Sequence, residues 1–191
     1  LSGSIFASTI AGLGETLRAA GHELLLGTTD YSPASEEALV RATLARRPDG
    51  IVTSSNIHTP GTRRLLARAG LPVVEVWQLP EQPLDMAVGF SNFAAGHALT
   101  VFLAQLGSCR IGFIGALGEH DHRGRRRHAG YLAALAELGL GPPCYYSADR
   151  ASASLEDGAK GLATLHAASP PRCDAIFCGS DPIAMGAISE A

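Results

Sequence analysis

Apolar positions along the chain follow two rhythms that take turns. Ile5, Phe6, Ile10, Leu13 and Leu17 recur at helical spacing and stop at Gly21, a natural helix C-terminus. The run Glu23–Gly27 carries three leucines and has strand length. Ser35, Glu36 and Glu37 suit a first helical turn. They lead a helix bearing Leu39, Val40 and Leu44 that ends at Arg46-Arg47-Pro48. Asp49–Ser54 predicts a strand, Thr62–Ala69 a helix, and Val73–Trp77 the next strand after Gly70-Leu-Pro72.

Beyond the connector with Pro80 and Pro83 the same alternation resumes. Met86–Phe90, Arg110–Ile114, Cys144–Ser147 and Asp174–Cys178 predict strands. Phe93–Leu106, Arg125–Leu138, Leu155–Ala167 and a segment starting near Pro182 predict helices. Strands alternating with helices mean parallel βαβ units, so the fold class is α/β with open parallel sheets. A βα fold should open on a strand, whereas Leu1-Ser-Gly-Ser4 leads straight into a helix. The expectation is a chain truncated at both ends.

Composition narrows the function classes. The 191 residues are 46% hydrophobic and 17% charged, which is too apolar for a disordered chain and enough for a sizeable core. No apolar run reaches the roughly 18 to 20 residues of a spanning helix, so a soluble protein is expected. Fifteen Lys and Arg against eighteen Asp and Glu leave a net charge of −3, which argues against a strongly basic nucleic-acid binder. Cys109, Cys144, Cys173 and Cys178 form no Cys-x-x-Cys pair. They read as small buried hydrophobes in a reducing, cytoplasmic setting. No signal peptide is visible, but the chain also lacks an initiating Met, so the true start can lie upstream.

In open parallel sheets ligands collect at the carboxyl ends of strands. Those positions hold Ser2, Ser4 and Phe6, then Asp30 and Tyr31, then Ser54, Ser55 and Asn56, then Trp77. Ser91, Asn92 and Phe93 follow, then the segment from Gly118 to Arg127, and finally Ser180 and Asp181. Hydroxyls, amides, aromatic rings and a guanidinium suit a polyol or sugar-acid ligand: they supply partners for hydroxyls, a surface to stack on and a cation for a carboxylate. Strand-end loops are polar in any case, so the set carries more weight than any member.

Other motifs say less. Gly112-Phe-Ile-Gly115-Ala-Leu-Gly118 departs from the dinucleotide spacing and lacks the acidic residue that should follow, so tight turning and close packing explain its glycines better. His120-Asp121-His122 has poor metal-ligand spacing and reads as a solvated loop. Arg123-Gly-Arg-Arg-Arg127 places cations at a predicted helix start, against the dipole, and asks for an anion or ligand to offset them. At least one of these arginines should point into a cleft. No nucleophile elbow, His-Glu-x-x-His or acid–base pair is present, so a binder is expected rather than an enzyme, with no cofactor and no metal.

Several segments carry a resemblance. They are Asp49-Gly-Ile-Val, Gly70-Leu-Pro-Val-Val, Val88-Gly-Phe-Ser-Asn-Phe-Ala-Ala-Gly96, Leu106-Gly107 with Arg110-Ile-Gly-Phe-Ile-Gly115, Arg127-His-Ala-Gly-Tyr131 and Ala175-Ile-Phe-Cys-Gly-Ser-Asp181. In this order they resemble the effector-binding domain of lac repressor family transcription regulators, which shares its fold with type I periplasmic sugar-binding proteins. Glu75-Val-Trp-Gln-Leu-Pro80 with Pro83-Leu-Asp-Met86 is similar to the gluconate-utilisation repressors of that family.

The resemblance implies two Rossmann-like subdomains, 1–107 and 108–191, with an effector in the cleft between them. It puts Arg127 at the family's effector-binding arginine. Ser180-Asp181 stands where Asn-Asp is usual, with Asp181 expected to cap the next helix. Ser91-Asn92 stands at the common Asp-Asn position, and the lost acid suits an anionic effector. It also implies a homodimer, operator DNA reached through an N-terminal helix-turn-helix outside this chain, and no membrane partner. Two alternatives stay open: a periplasmic solute-binding protein for a sugar transporter, which shares the fold, and a nucleotide-dependent enzyme, which rests on the Gly112–Gly118 segment alone. Trp77 can stack on a ligand or plug the top of its sheet.

Overall fold

The computed structural model describes residues 5–55, 57–118, 121–148, 154–167 and 172–191. In chain order the elements are α1 (Ile5–Ala19), α2 (Pro33–Leu44), β1 (Ile51–Thr53), α3 (Pro60–Ala69), β2 (Val73–Val76), β3 (Met86–Val88), α4 (Asn92–Gln105), β4 (Ile111–Ala116), α5 (His122–Glu137), β5 (Cys144–Ala148), α6 (Leu155–Ala167), β6 (Ala175–Cys178) and α7 (Asp181–Glu190). They form two parallel sheets, ordered β1-β2-β3 and β5-β4-β6. The expected α/β class with parallel sheets is what the chain adopts. No helix among the described residues is long and apolar enough to cross a membrane. The chain divides into two compact units, one of residues 1–50 with 57–71 and one of residues 51–56 with 72–191.

The first unit is helical. Ser32 caps α2 by accepting from the Ser35 N–H at 3.3 Å, and Thr59 caps α3 by accepting from the Thr62 N–H at 2.9 Å. Pro33 and Pro60 occupy first-turn positions whose N–H groups need no partner. Both helices therefore begin two residues earlier than the hydrophobic pattern suggests. His58 Nδ1 lies 2.9 Å from Glu36 Oε2 with both side chains enclosed, which ties the approach to α3 onto α2. The expected strand at Glu23–Gly27 does not form. A strand exists only if its N–H and C=O groups find a neighbour, and no described strand pairs with this one. Leu25 and Leu26 are exposed.

The second unit contains both sheets. Central β4 is buried along its whole length, as a strand covered on both faces must be, and reads as an unbroken apolar run. Alternate side chains go to opposite faces. Ile111 and Phe113 pack with Tyr131, Leu135 and Phe177, while Ile114 packs with Leu162, Leu165, Ile183 and Ala187. The Tyr131 hydroxyl donates to the Ile111 carbonyl at 2.9 Å and accepts from the Cys144 N–H at 3.2 Å. Gly112 keeps its packing role: a Cβ there would sit 2.9 Å from Cys173 Sγ and from Ile176 Cδ1.

The other sheet turns between β2 and β3 without a helix. Two carboxylates hold that Pro-rich connector. Glu75, fully buried, accepts from the Leu84 N–H at 2.7 Å, and Asp85 accepts from the Val73 N–H at 3.1 Å. Trp77, just past β2, takes a left-handed φ of 76°.

Two predictions follow from this packing. Tyr131→Phe should leave a buried backbone N–H and carbonyl short of a partner and cost about 1 to 3 kcal/mol in urea unfolding. The His128 ring lies against Phe113, Tyr131 and Tyr145, with centroids 4.7 to 5.6 Å away, and burial pulls its pKa below the ordinary 6.5. The unfolded chain then takes the proton first, so stability should be full above about pH 6.5 and decline as pH falls below it. His122, lowered first by burial and then by Arg125 and Arg126, adds to the same slope. Urea melts at about pH 7.5 and about pH 5.5 should show a smaller drop in His128→Phe than in the parent chain.

Candidate functional site

The arginine run lies in the first two turns of α5. Asp121 caps that helix by accepting from the Gly124 N–H at 2.8 Å, so the helix starts three residues before the pattern suggested. Glu119 and His120 lie outside the described residues, as do Ser2, Ser4 and Asn56. Four arginines at a helix N-terminus oppose the dipole, and the structure engages two of them with α4. Arg126 sits 5.6 Å over the Phe93 ring. Arg127 Nη1 donates to Asn92 Oδ1.

That contact requires α4 and α5 to approach closely, and two glycines permit it. A Cβ on Gly96 would run into the Arg127 carbonyl, and one on Gly130 into the Phe93 carbonyl. Asn92, only 1% exposed, begins α4 just after its cap Ser91, which accepts from the Ala94 N–H at 3.1 Å. Its Nδ2 donates to Gln78 Oε1 at 3.2 Å. Guanidinium, amide and amide thus form a chain from α5 through α4 to the end of β2.

The electrostatics of the chain are uneven. Burial lowers the Arg127 pKa, Asp121 raises it and Arg123 lowers it further, but a guanidinium stays charged through such shifts. Its partner is a neutral amide. Among the described residues Arg127 Nε is buried with no hydrogen-bond partner, so a charged donor is held out of water with capacity to spare.

The other expected residues fall into two groups. Trp77 and Phe93 adjoin the chain, Trp77 preceding Gln78 and Phe93 following Asn92; both are half-buried. Phe93 packs between Arg126 and His97. Ser54 and Ser55 follow β1, and Ser180 follows β6 beside the carboxyl end of β4, where the Gly179 N–H donates to the Ile114 carbonyl at 2.8 Å. Ser180 precedes α7 without making a side-chain cap bond. Asp181 is not the cap it was expected to be. It is the first residue of α7, where its charge still complements the helix dipole. Phe6 and Tyr31 belong to the helical unit, with Phe6 half-buried in α1 and Tyr31 exposed at a φ of 60°.

Gln78 is the residue that sequence reasoning passed over. Alternation buries Val73 and Glu75 and would bury Trp77 next. The left-handed Trp77 shifts the phase and buries Gln78 instead, at 7% exposure. A Gln enclosed by Trp77, Leu79 and Pro80 was the available signal, and the backbone turn that gives it meaning is not visible in residue types.

Comparison with known proteins bears on the fold and the family. Residues 1–191 match the family described as periplasmic binding proteins and sugar binding domain of LacI family. The regulator GntR of Escherichia coli K12 is 31% identical over 190 residues, which is all of this chain and 56% of the relative, so the chain spans about half the length of that relative. A LacI family regulator from Silicibacter pomeroyi superposes with a TM-score of 0.91 at 39% identity, covering all of this chain and 70% of that one. The regulator GntR from Chromobacterium violaceum superposes at 0.88 with 35% identity, covering 98% and 68%. With its parallel sheets and its full-length match, this chain belongs to the family of periplasmic binding proteins and LacI-type sugar-binding domains.

Proposed function

We propose that this chain is the effector-sensing part of a bacterial DNA-binding transcription regulator and that its effector is a small sugar acid such as gluconate. The observation that carries the reading is Arg127: a half-buried guanidinium, bonded to an uncharged Asn92, with a buried Nε that has no partner among the described residues. A carboxylate meets that donor set better than a neutral sugar does. Trp77, Phe93, Ser54, Ser55 and Ser180 supply a ring surface and hydroxyls at strand ends, while Ser2, Ser4, Phe6 and Tyr31 complete the proposed ligand set. Subdomains of 1–107 and 108–191 belong to the same reading.

The likeness to the transcription regulators GntR of E. coli and C. violaceum supports regulation over transport. On this reading the regulator works in the cytoplasm as a homodimer that places paired N-terminal helix-turn-helix segments on an operator. Effector binding shifts the DNA-binding equilibrium only through its different affinity for the two states of the protein. No catalysis is assigned to the chain.

Calorimetric titration with gluconate and related sugar acids should give saturable binding, and heat no different from dilution for every aldonate and sugar would overturn the reading. Arg127→Ala should abolish that binding. The buried Asn92 acceptor it leaves behind should cost about 1 to 3 kcal/mol of stability, with the fold retained. Affinity unchanged in this variant would place the pocket elsewhere.

A further inference from the structure

The helical unit holds a second concentration of arginines that the effector reading does not use. A groove of about 640 Å³ runs between α2 and α3, within the range of small-molecule sites. Arg41 and Arg47 line one side, Arg64 and Arg68 the other, and Leu44 and Leu65 contribute apolar surface. Arg64 and Arg68 are one helical turn apart and so share a face of α3.

One carboxylate enters this groove. Glu37 Oε1 lies 3.4 Å from Arg41 Nη2, and Glu37 Oε2 accepts from the Thr59 hydroxyl. Its carboxylate rests against Gly61, where any Cβ would displace it. Glu37 is thereby occupied at the α3 N-terminus and balances one arginine at most. Among the described residues no carboxylate pairs with Arg47, Arg64 or Arg68.

Helix ends explain two of the four cations, since Arg41 and Arg68 stand in last turns, where positive charge complements the dipole. Arg47 and Arg64 have no such reason. Arg47 is the more telling, because it follows α2 with a φ of 54°. That is the left-handed region, which favours glycine, and a side chain there carries a conformational cost. A guanidinium kept in that conformation at the rim of a groove already rich in cations makes sense if the groove holds an anion.

We propose that the α2–α3 groove binds a small, multiply charged phosphate-bearing molecule, separately from the Arg127 site. Guanidinium forks from two helices clamp the phosphate oxygens, and the leucines accept the body of the ligand. A single inorganic anion of the same chemistry, pyrophosphate, suffices as a probe. Titrated into the full chain at constant ionic strength, it should bind saturably. Arg64→Gln/Arg68→Gln should weaken that binding about tenfold or more, with the circular dichroism spectrum unchanged because both side chains are exposed. Arg127→Ala should bind pyrophosphate as the parent does. Heat matched by a chloride titration, a double variant that binds as tightly as the parent, or equal loss in Arg127→Ala would each overturn the proposal. So would duplex DNA or an acidic peptide that occupies the groove arginines without competition from pyrophosphate.

Discussion

The close crossing of α4 and α5 is the constraint on which the site depends. Gly96 and Gly130 remove the two Cβ atoms that would hold the helices apart, and the gap they leave is filled by backbone carbonyls. Only at that distance can Arg127, on a helix following β4, reach Asn92, on a helix following β3. The crossing therefore joins the carboxyl ends of two separate sheets through one hydrogen-bonded chain. A methyl group at either glycine would act on the guanidinium without touching it.

The buried polar residues divide by task. Glu75 and Tyr131 satisfy backbone groups in the connector and the central sheet, so their burial is compensated by partners, and the exposed Asp85 adds one more bond to the connector. Asn92 and Gln78 are satisfied mostly by each other and by Arg127. The chain ends on a cation whose own Nε lacks a partner among the described residues. Arg110 Nε and His128 Nε2 are buried without a partner in the same way, but only Arg127 belongs to the chain through Asn92 and Gln78, and on the proposed reading its open charged donor is what a ligand site needs.

Most of the helices and strands were legible because the apolar spacing switches between the two periods cleanly; α6 falls on its predicted limits. Helices capped by Ser32, Thr59 and Asp121 start earlier than the apolar pattern suggests, since caps lie outside that pattern. The run at Glu23–Gly27 failed for another reason: strand propensity is local, but strand pairing is not. Arg127 and Asn92 were legible from the family resemblance and from the uncompensated arginine run. Gln78 was not, because a left-handed turn at Trp77 reversed the alternation that would have located it.

The choice of Asn at position 92 decides what the guanidinium can do. Burying a cation costs several kcal/mol unless it is paired. An Asp at the same place would repay that cost and would also cancel the charge a ligand could use. Asn92 instead accepts one hydrogen bond and contributes no charge, while Gln78 fixes its amide so that the oxygen faces the arginine. Asp121 helps to keep Arg127 protonated, yet it is committed to capping α5 through the Gly124 N–H. The positive potential is thus tolerated by the fold and left unneutralised at the one point where an anionic effector, on the proposed reading, would complete it.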